Sequence, residues 1–514
     1  MSSVVMPLKP KILIFIVSYN AASFIESVLN RIPEHVWRNG EYDVEVLVID
    51  DQSSDNTLYR VADFIKCRPQ RKIKVLFNPL NQGYGGNQKL GYQYALDRKF
   101  DVVVLLHGDG QYAPEYLDKM IRPIVRGEAD VVLGSRMINR FEALRGNMPV
   151  YKWIGNQILT FVQNIILGTR LSEFHTGYRA YSTKALEEIP FEFNSNYFDF
   201  DTDILIQMID TQKCIQEITV PTYYGGEISH VNGWYYAALI LLTTLRSRIV
   251  KLNLLYDHRF DYDRGNQRYS LKLGYPSSHQ FALEQVKGEL TILDIGSGSA
   301  GMAKELYERG AKVVSLDRYI SGLTKKYSVL AVQTEIEAYD FSSINYEFDL
   351  ILMLDIIEHL LDPERFMLKL RRCFVKNESP VVIITTGNVA FVIPRIGLLL
   401  GQFNYGKNGI LDLDHKRLFT FRSMKRLLDS TGYEILTTCG IPAPYPLAIG
   451  DNLLSRMLLA VNRILIHFSR GLFSYQMAFV VRPRPTINHL LKRAHITVLH
   501  MLDERDADEI RFLD

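Results

Sequence analysis

The chain has 514 residues, too many to bury around a single core, so two or three domains are expected. Its 47% hydrophobic and 23% charged content is that of a globular protein, and a formal charge of +2 gives no reason to expect nucleic acid as a partner. The four cysteines, Cys67, Cys214, Cys373 and Cys439, include no close pair, which argues against a disulfide framework or a zinc knuckle and fits a reducing cytoplasm.

No signal-peptide pattern precedes the first strand, and no apolar run reaches the length of about 18 residues that predicts a spanning helix. Short apolar runs then alternate with helical patterns. ILIFIV (12–17), VEVLVI (44–49), IKVLF (73–77), VVVLL (102–106) and DVVLG (130–134) read as buried, mostly parallel strands. Between them, ASFIESVLNRI, NTLYRVADFIK and NQKLGYQYALDR carry helical spacing. The alternation predicts an α/β domain whose ligand sits at the carboxyl ends of the strands.

Those ends are polar. The first finishes in Ser18, Tyr19 and Asn20, and the second in Asp50, Asp51, Gln52, Ser53, Ser54 and Asp55, of which Asp55 reads as a helix cap. NPLNQGYGGNQKLGY (78–92) follows the third and contains Gly83, Gly85, Gly86 and Gly91. The fourth runs into His107, Gly108, Asp109, Gly110 and Gln111. A nucleotide sugar suits such a crevice. Carboxylates accept hydrogen bonds from base and ribose, and glycines let the backbone approach the phosphates. A divalent cation bridges phosphate to carboxylate and offsets charge on the leaving diphosphate.

Over residues 10 to about 235 these segments resemble family-two glycosyltransferases of the GT-A fold, in the dolichol-phosphate mannosyltransferase-like branch. The likeness rests on IVSYN, VIDDQSSDNT, NQGYGGNQK, LLHGDGQYAPE, LGSR and EFHTGYRAYS (173–182), all in the family's order. The resemblance implies that Tyr19, Asp50, Asp51 and Gly83 line the nucleotide-sugar site. It implies that Asp109, as a catalytic residue, and Gln111 hold the metal and diphosphate. His107 stands where the family usually has Asp. It is therefore either a second metal ligand, better suited to Mn²⁺ than to Mg²⁺, or an orienting and packing residue. Arg136, Lys152 and Asn156 match positions that bind the acceptor phosphate in lipid-phosphate enzymes, with Lys and Asn replacing the more usual Arg and Ser. Lys152 and Asn156 share one face of a helix expected within 147–168. FDFDTDILIQ (198–207) matches the acidic acceptor-side segment. There Asp201 and Asp203 are candidate catalytic bases for a hydroxyl acceptor, whereas a phosphate acceptor needs none. The acceptor thus stays open between a polyprenyl phosphate and a glycan. GWYYAALILLTTLRSRIVK (233–251) ends in Arg246, Arg248 and Lys251, and reads either as a helix on an anionic membrane surface or as one packed on a second domain.

A second α/β series starts near residue 290. LTILDIGSGSAGMAKELYERGAKVVSLD (290–317) places Asp294, Gly296, Gly298 and Gly301 in a strand-to-helix turn and Asp317 at the next strand end. Both NAD and S-adenosylmethionine fit this pattern. Asp294 ahead of the glycines, together with FDLILMLDIIEHLLDPERF (348–366), resembles the Rossmann-like class I S-adenosylmethionine-dependent methyltransferases of the small-molecule O-methyltransferase type, over residues 265 to 440. Ala300 stands where the family usually has its last loop glycine. The resemblance implies cofactor contacts from Asp294, Gly296, Gly298, Asp317 and Asp355, with Asp340 near the adenine. His359 is a candidate base for a hydroxyl. Asp355, Glu358 and His359 together also resemble a metal-binding cluster of some such enzymes, or are ordinary loop polarity. His415, in LDLDHKRLFTFRSMKRLLDSTGYEI (411–435), is a second catalytic candidate. The segments 388–410 and 452–473 are apolar and basic, and read as lipid-facing or as a substrate lid.

The expected organisation is a glycosyltransferase domain over 1–252, a linker over 253–285, a methyltransferase domain over 286–440 and an apolar, basic extension over 441–514. The expected function is bifunctional. A sugar passes from a nucleotide sugar to a lipid phosphate or glycan, and a glycan hydroxyl is methylated, at the cytoplasmic face of a membrane that the protein contacts peripherally. The alternative is a glycosyltransferase with a non-catalytic, methyltransferase-like binding domain.

Overall fold

The strand ends that the sequence singles out lie side by side because the register puts them there. In the computed structural model, which describes residues 9–221, 233–252, 254–262, 271–298, 301–374, 379–491 and 494, the chain forms two compact units. The first comprises 1–251 with 257–264, and the second 252–256 with 265–514.

The first unit is built on a seven-stranded sheet of β1 (Lys11–Ser18), β2 (Asp43–Asp50), β3 (Ile73–Phe77), β4 (Val102–His107), β5 (Val131–Ser135), β6 (Arg179–Ser182) and β7 (Ile215–Thr219). Their order across the sheet is β3-β2-β1-β4-β6-β5-β7. The five expected strands are all present. β1 pairs in parallel with β2, Ser18 opposite Asp50, and with β4, Val17 opposite His107. Three polar strand ends therefore open onto one edge. β6, antiparallel to both β4 and β5, is the exception to the parallel pattern. Both faces of the sheet are covered, so β1 reads KILIFIVS with only Lys11 exposed. Helix α1 (Gly83–Asp97) lies against the sheet, and a Cβ on its Gly91 would come within 2.1 Å of the Phe15 ring. Helices α2 (Val150–Leu167), α3 (Phe200–Asp210) and α4 (Gly233–Lys251) complete the parts that matter here. The buried side of α4 is tied within this unit, with Gln163 Nε2 donating to Thr244 Oγ1 and Arg248 pairing with Asp210.

The second unit repeats the theme with β8 (Thr291–Ile295), β9 (Lys312–Asp317), β10 (Leu330–Gln333), β11 (Leu350–Leu354), β12 (Val381–Gly387), β13 (Tyr433–Ile441) and β14 (Gln476–Pro483). Their order is β10-β9-β8-β11-β12-β14-β13. β14 runs antiparallel between β12 and β13. The last 74-residue stretch set apart by the sequence reading as an extension, 441–514, thus supplies a core strand, with Met477, Ala478, Phe479 and Val481 fully buried. Helix α5 (Ser278–Gln285) falls inside the expected linker, yet its Ala282 and Leu283 belong to the core beside β8. Helices α6 (Val392–Leu399) and α7 (Leu453–Phe468) occupy the two apolar, basic segments. Residues 263–270 of the linker, Ala300 and residues 495–514 lie outside the described residues.

Candidate functional sites

At the end of β2 the two aspartates divide their tasks. Asp51 is a brace: its Oδ1 accepts from Asn78 Nδ2 at 2.7 Å and the Gln82 amide at 2.8 Å, and its Oδ2 from the Gly83 amide at 3.0 Å. It fixes the glycine-rich turn that starts α1. Gly83 sits at φ +78°, and a Cβ there would stand 2.7 Å from the Asn196 carbonyl, so glycine is required twice over. Asp50 is different. Its Oδ1 accepts from the Ser53 amide at 2.8 Å, while Oδ2 is buried with no hydrogen-bond partner among the described residues. Tyr19 is 54% exposed at the mouth of the same edge.

At the end of β4, His107 is caged. Its ring centroid lies 5.6 Å from that of Tyr84 and 5.0 Å from that of Tyr112, with Nε2 3.3 Å from the Tyr84 hydroxyl. A Cβ on Gly177 would approach Nε2 to 2.5 Å. Burial lowers the imidazole pKa against the pull of Asp109 and Asp201, so the ring is neutral at neutral pH. The half-buried Asp109 accepts from the Gln111 amide at 3.0 Å, a turn that holds both side chains at the edge. Among the described residues no group of three or more His, Cys, Asp and Glu side chains is placed to hold a metal ion. Two tyrosine rings and the Gly177 backbone thus enclose the His107 ring, with Asp109 on the turn that follows it.

The acceptor-side carboxylates are both engaged. Asp201 accepts from Tyr84 Oη at 2.9 Å and Gln88 Nε2 at 3.2 Å, with Arg179 3.9 Å away. Asp203 is fully buried, accepts from the Ser195 amide at 2.9 Å and pairs with Arg259 at 3.3 Å. Burial pushes its carboxyl up to about 6 against the pull of Arg259. A side chain so enclosed has no face for an acceptor hydroxyl, which corrects its reading as a base. Arg136, expected to meet a phosphate, has a partner that sequence reasoning missed. Glu173 Oε2 accepts from the Arg136 amide at 2.7 Å and Oε1 from its Nε at 3.0 Å. The same Oε1 accepts from Asn156 Nδ2 at 2.8 Å. Burial pushes the Glu173 carboxyl up, but Arg136 outweighs it and holds the pKa below its ordinary value. Glu173 opens the quoted EFHTGYRAYS segment, and its acidic type near an expected basic cluster was the available signal. Lys152 lies one helical turn before Asn156 on α2.

In the second unit, Gly296 and Gly298 adopt φ +82° and +54°, and a Cβ on Gly296 would meet Ile356 at 2.1 Å. Asp317 secures this turn, accepting from the Gly298 amide at 2.7 Å through Oδ2 and from the Tyr319 amide at 2.8 Å through Oδ1. Asp294 is buried, and its Oδ2 has no hydrogen-bond partner among the described residues. Burial and the nearby Asp317 push its carboxyl up to about 7. Asp340 caps a short turn by accepting from the Ser342 amide and hydroxyl. Asp355, at φ +56°, accepts from Thr385 Oγ1 at 2.8 Å, Ser278 Oγ at 3.0 Å and Gln476 Nε2 at 2.9 Å. It joins α5, β12 and β14, and among the described residues no group of three or more His, Cys, Asp and Glu side chains is placed to hold a metal ion. Glu358 is buried, and burial and Asp355 push its carboxyl up to about 8. His359 and His415 do meet, their rings 4.8 Å apart and edge to face. His415 Nδ1 donates to the Ile410 carbonyl at 3.0 Å, which leaves its Nε2 as the proton-accepting nitrogen. Burial and His359 lower the His415 pKa, so that nitrogen is unprotonated at neutral pH.

Residues 13–190 match the family model for glycosyl transferase family 2, and residues 264–438 match a methyltransferase domain model. A UDP-N-acetylglucosamine–dolichyl-phosphate N-acetylglucosaminyltransferase of Methanococcus voltae is 27% identical over 41% of this chain and 86% of its own length. An undecaprenyl-phosphate mannosyltransferase of Micrococcus luteus is 27% identical over 41% of this chain and 82% of its own length. The crystal structure of glucosyl-3-phosphoglycerate synthase from Mycobacterium tuberculosis with uridine diphosphate superposes with a TM-score of 0.36 at 17% identity, over 46% of this chain and 79% of that one. The chain joins a family 2 glycosyl transferase domain of GT-A type to a Rossmann-like methyltransferase domain, both of them domains of enzymes.

Proposed function

We propose that the first unit transfers a sugar from a nucleotide-sugar donor to a polyprenyl phosphate, and that the second methylates a hydroxyl of a glycan or related small molecule with S-adenosylmethionine. One observation carries both halves. Each unit keeps a buried aspartate oxygen without a hydrogen-bond partner among the described residues, near a glycine turn at its strand ends, Asp50 Oδ2 in the first and Asp294 Oδ2 in the second. A buried acceptor left unpaired destabilises the fold, and a ligand N–H or O–H group relieves it.

In the first unit Asp50 and Tyr19 receive base and ribose, the Gly83 turn lies under the diphosphate, and Asp109 and Gln111 face the leaving group. A divalent cation, Mn²⁺ or Mg²⁺, held between Asp109 and the diphosphate would offset the charge of the departing nucleotide. A phosphate oxygen of the acceptor attacks the anomeric carbon as the diphosphate leaves. It is already an anion and needs no base, which agrees with the engaged states of Asp201 and Asp203. Arg136, aimed by Glu173, and Lys152 and Asn156 on α2 form the acceptor end. The functions of the two relatives, both lipid-phosphate enzymes, support this choice over a glycan hydroxyl. On α4, Leu242, Leu245 and Ile249 stay exposed beside Arg246, which supports peripheral contact with the inner face of a membrane in the cytoplasm. Among the described residues no helix is long and apolar enough to cross one.

In the second unit Asp294, Gly296, Gly298 and Asp317 hold the methyl donor, whose sulfonium-bound methyl is the electrophile. His415 takes the proton of the acceptor hydroxyl at Nε2, with the His359 ring edge to face against it. The donor half is tested by calorimetry with a panel of nucleotide sugars, with and without Mn²⁺, and by label transfer to polyprenyl phosphate. Asp109→Ala is expected to abolish metal-dependent transfer, and full activity in that variant overturns the assignment. A wild-type chain that binds neither S-adenosylmethionine nor its demethylated product returns the second unit to a non-catalytic module.

A further inference from the structure

The helix α7 (Leu453–Phe468) is apolar on its outer face as well as within its buried one. A surface helix ordinarily buries its apolar stripe and shows its polar one. Here the buried face is Ser455, Leu459, Asn462 and Ile466, its two polar residues held by hydrogen bonds. Asn462 Oδ1 accepts from the Ala443 amide at 3.0 Å, and its Nδ2 donates to the Phe473 carbonyl at 2.9 Å. Ser455 and Asn452 form a capping box at the helix start. The outer face carries Leu453 (86% exposed), Met457 (54%), Val461 (47%), Ile464 (59%) and Phe468 (78%). Their spacing of four, four, three and four residues makes one continuous stripe along the helix.

A second element shares the base of this face. Leu254 and Tyr445 pack against both the buried cluster that Val392 and Ile393 of α6 join and the one that Leu454 and Leu458 of α7 join. Ile396, Leu398, Leu399, Leu400 and Phe403, at and beyond the end of α6, are exposed. Asn388, just before α6, donates to the Gly471 and Ser474 carbonyls just after α7. The charge leans basic. Arg456 is paired with Asp451, just before α7, while Arg463 and Arg470 in 452–475 and Arg395 and Lys407 in 388–411 meet no Asp or Glu within those segments.

We infer that α7, with the α6 segment beside it, is a membrane-surface element of the methyltransferase unit that seats its apolar stripe among the acyl chains of an anionic bilayer and its arginines among the headgroups. The charge selects this occupant. A second copy related by a two-fold axis would set the same patch against itself, Arg463 and Arg470 toward basic residues, with Asp451 already taken by Arg456. Anionic headgroups complement that pattern, and apolar burial plus electrostatic attraction is how interfacial helices bind. The inference uses residues of the second unit alone and does not depend on the polyprenyl phosphate or on α4. It gives the methyl-transfer site a location at the lipid surface, and so points to a methyl acceptor carried on or held at that surface.

The test is co-sedimentation of the full chain with vesicles of phosphatidylcholine alone and of phosphatidylcholine mixed with phosphatidylglycerol. The wild type is expected to bind the mixed vesicles, less tightly as salt rises. Met457→Glu with Ile464→Glu is expected to weaken that binding by about tenfold or more. Leu242→Glu with Leu245→Glu, on α4, reports the first unit's contact separately, so loss of either is read without the other. Arg456→Gln with Arg463→Gln keeps the apolar stripe and is expected to weaken binding to the mixed vesicles only. It decides the matter if the glutamate pair fails to fold. Ile464→Trp adds a local reporter, whose emission is expected to shift to the blue on vesicle addition. Unchanged binding in a folded glutamate variant or in the arginine variant, or an unshifted tryptophan, overturns the inference. So does a wild type that self-associates in solution and becomes monomeric with Met457→Glu and Ile464→Glu.

Discussion

Glu173 and Arg136 are locked together at three points. The arginine's own backbone amide, its Nε and its Nη2 all donate to one buried carboxylate. The carboxylate thereby sets both where the guanidinium points and where the chain runs after β5.

Glu173→Ala leaves a largely buried guanidinium without its counter-charge and is expected to destabilise the first unit by about 3–5 kcal/mol. Glu173→Gln keeps the shape but not the charge and is expected to raise the acceptor KM more than it lowers kcat. Denaturant unfolding and acceptor titration check the two. The sign in pH follows from the lowered Glu173 pKa: the pair's contribution is present above the unfolded carboxyl pKa and is lost as pH falls through the lower, folded one.

His107→Asp, which restores the family's usual residue, is expected to lower stability by about 2 kcal/mol or more. A carboxylate would enter a cage of two tyrosine rings and the Gly177 backbone, close to Asp109 and Asp201. Gly177→Ala is expected to impair donor turnover as well, because the added methyl displaces the imidazole. Thermal unfolding and donor kinetics on both variants provide the check.

In the second unit Asp294 and Glu358 have pKa values raised to about 7 and about 8. Below the unfolded carboxyl pKa their contribution is fully present, and it is lost as pH rises to the folded values. Unfolding midpoints of the unliganded protein are expected to fall between roughly pH 4 and 8. Asp294→Asn and Glu358→Gln should each flatten part of that fall, and a slope unchanged in both variants would show that other groups set it.

Asp317→Ala removes the acceptor for the Gly298 and Tyr319 amides, so the glycine turn loosens, and the ribose contact proposed for it goes too. Calorimetry is expected to show S-adenosylmethionine binding weakened by about tenfold or more, roughly 1.4 kcal/mol, with glycosyl transfer retained.

What the sequence revealed and what it hid divide along a physical line. β1, β2 and β4 are buried over most of their length, so they stand out as apolar runs, broken in β2 only by Glu45, and Asp50 and Asp109 mark their ends, while Asp294 interrupts the short β8 and Asp317 closes β9. β6 has four residues, one of them the buried Arg179, and leaves no such run. β13 is partly exposed, and β14 was submerged in an apolar tail. The roles of Asp51, Asp203 and Asp355 were hidden for another reason. A carboxylate that braces a turn and one that binds a ligand look alike until the partner is seen, and Arg259 for Asp203 and Gln476 for Asp355 lie far along the chain.

The position of β14 also fixes an order of events in synthesis. β12 and β13 emerge first, but neither can pair with the other, since the strand that belongs between them is still to be made. Until Gln476–Pro483 leaves the ribosome, the apolar edge of β12 has nothing to bond to, and such edges recruit other chains. Nascent second units are thus exposed to aggregation late in translation, and a stop codon before Gln476 removes one strand from the polypeptide but two from the sheet.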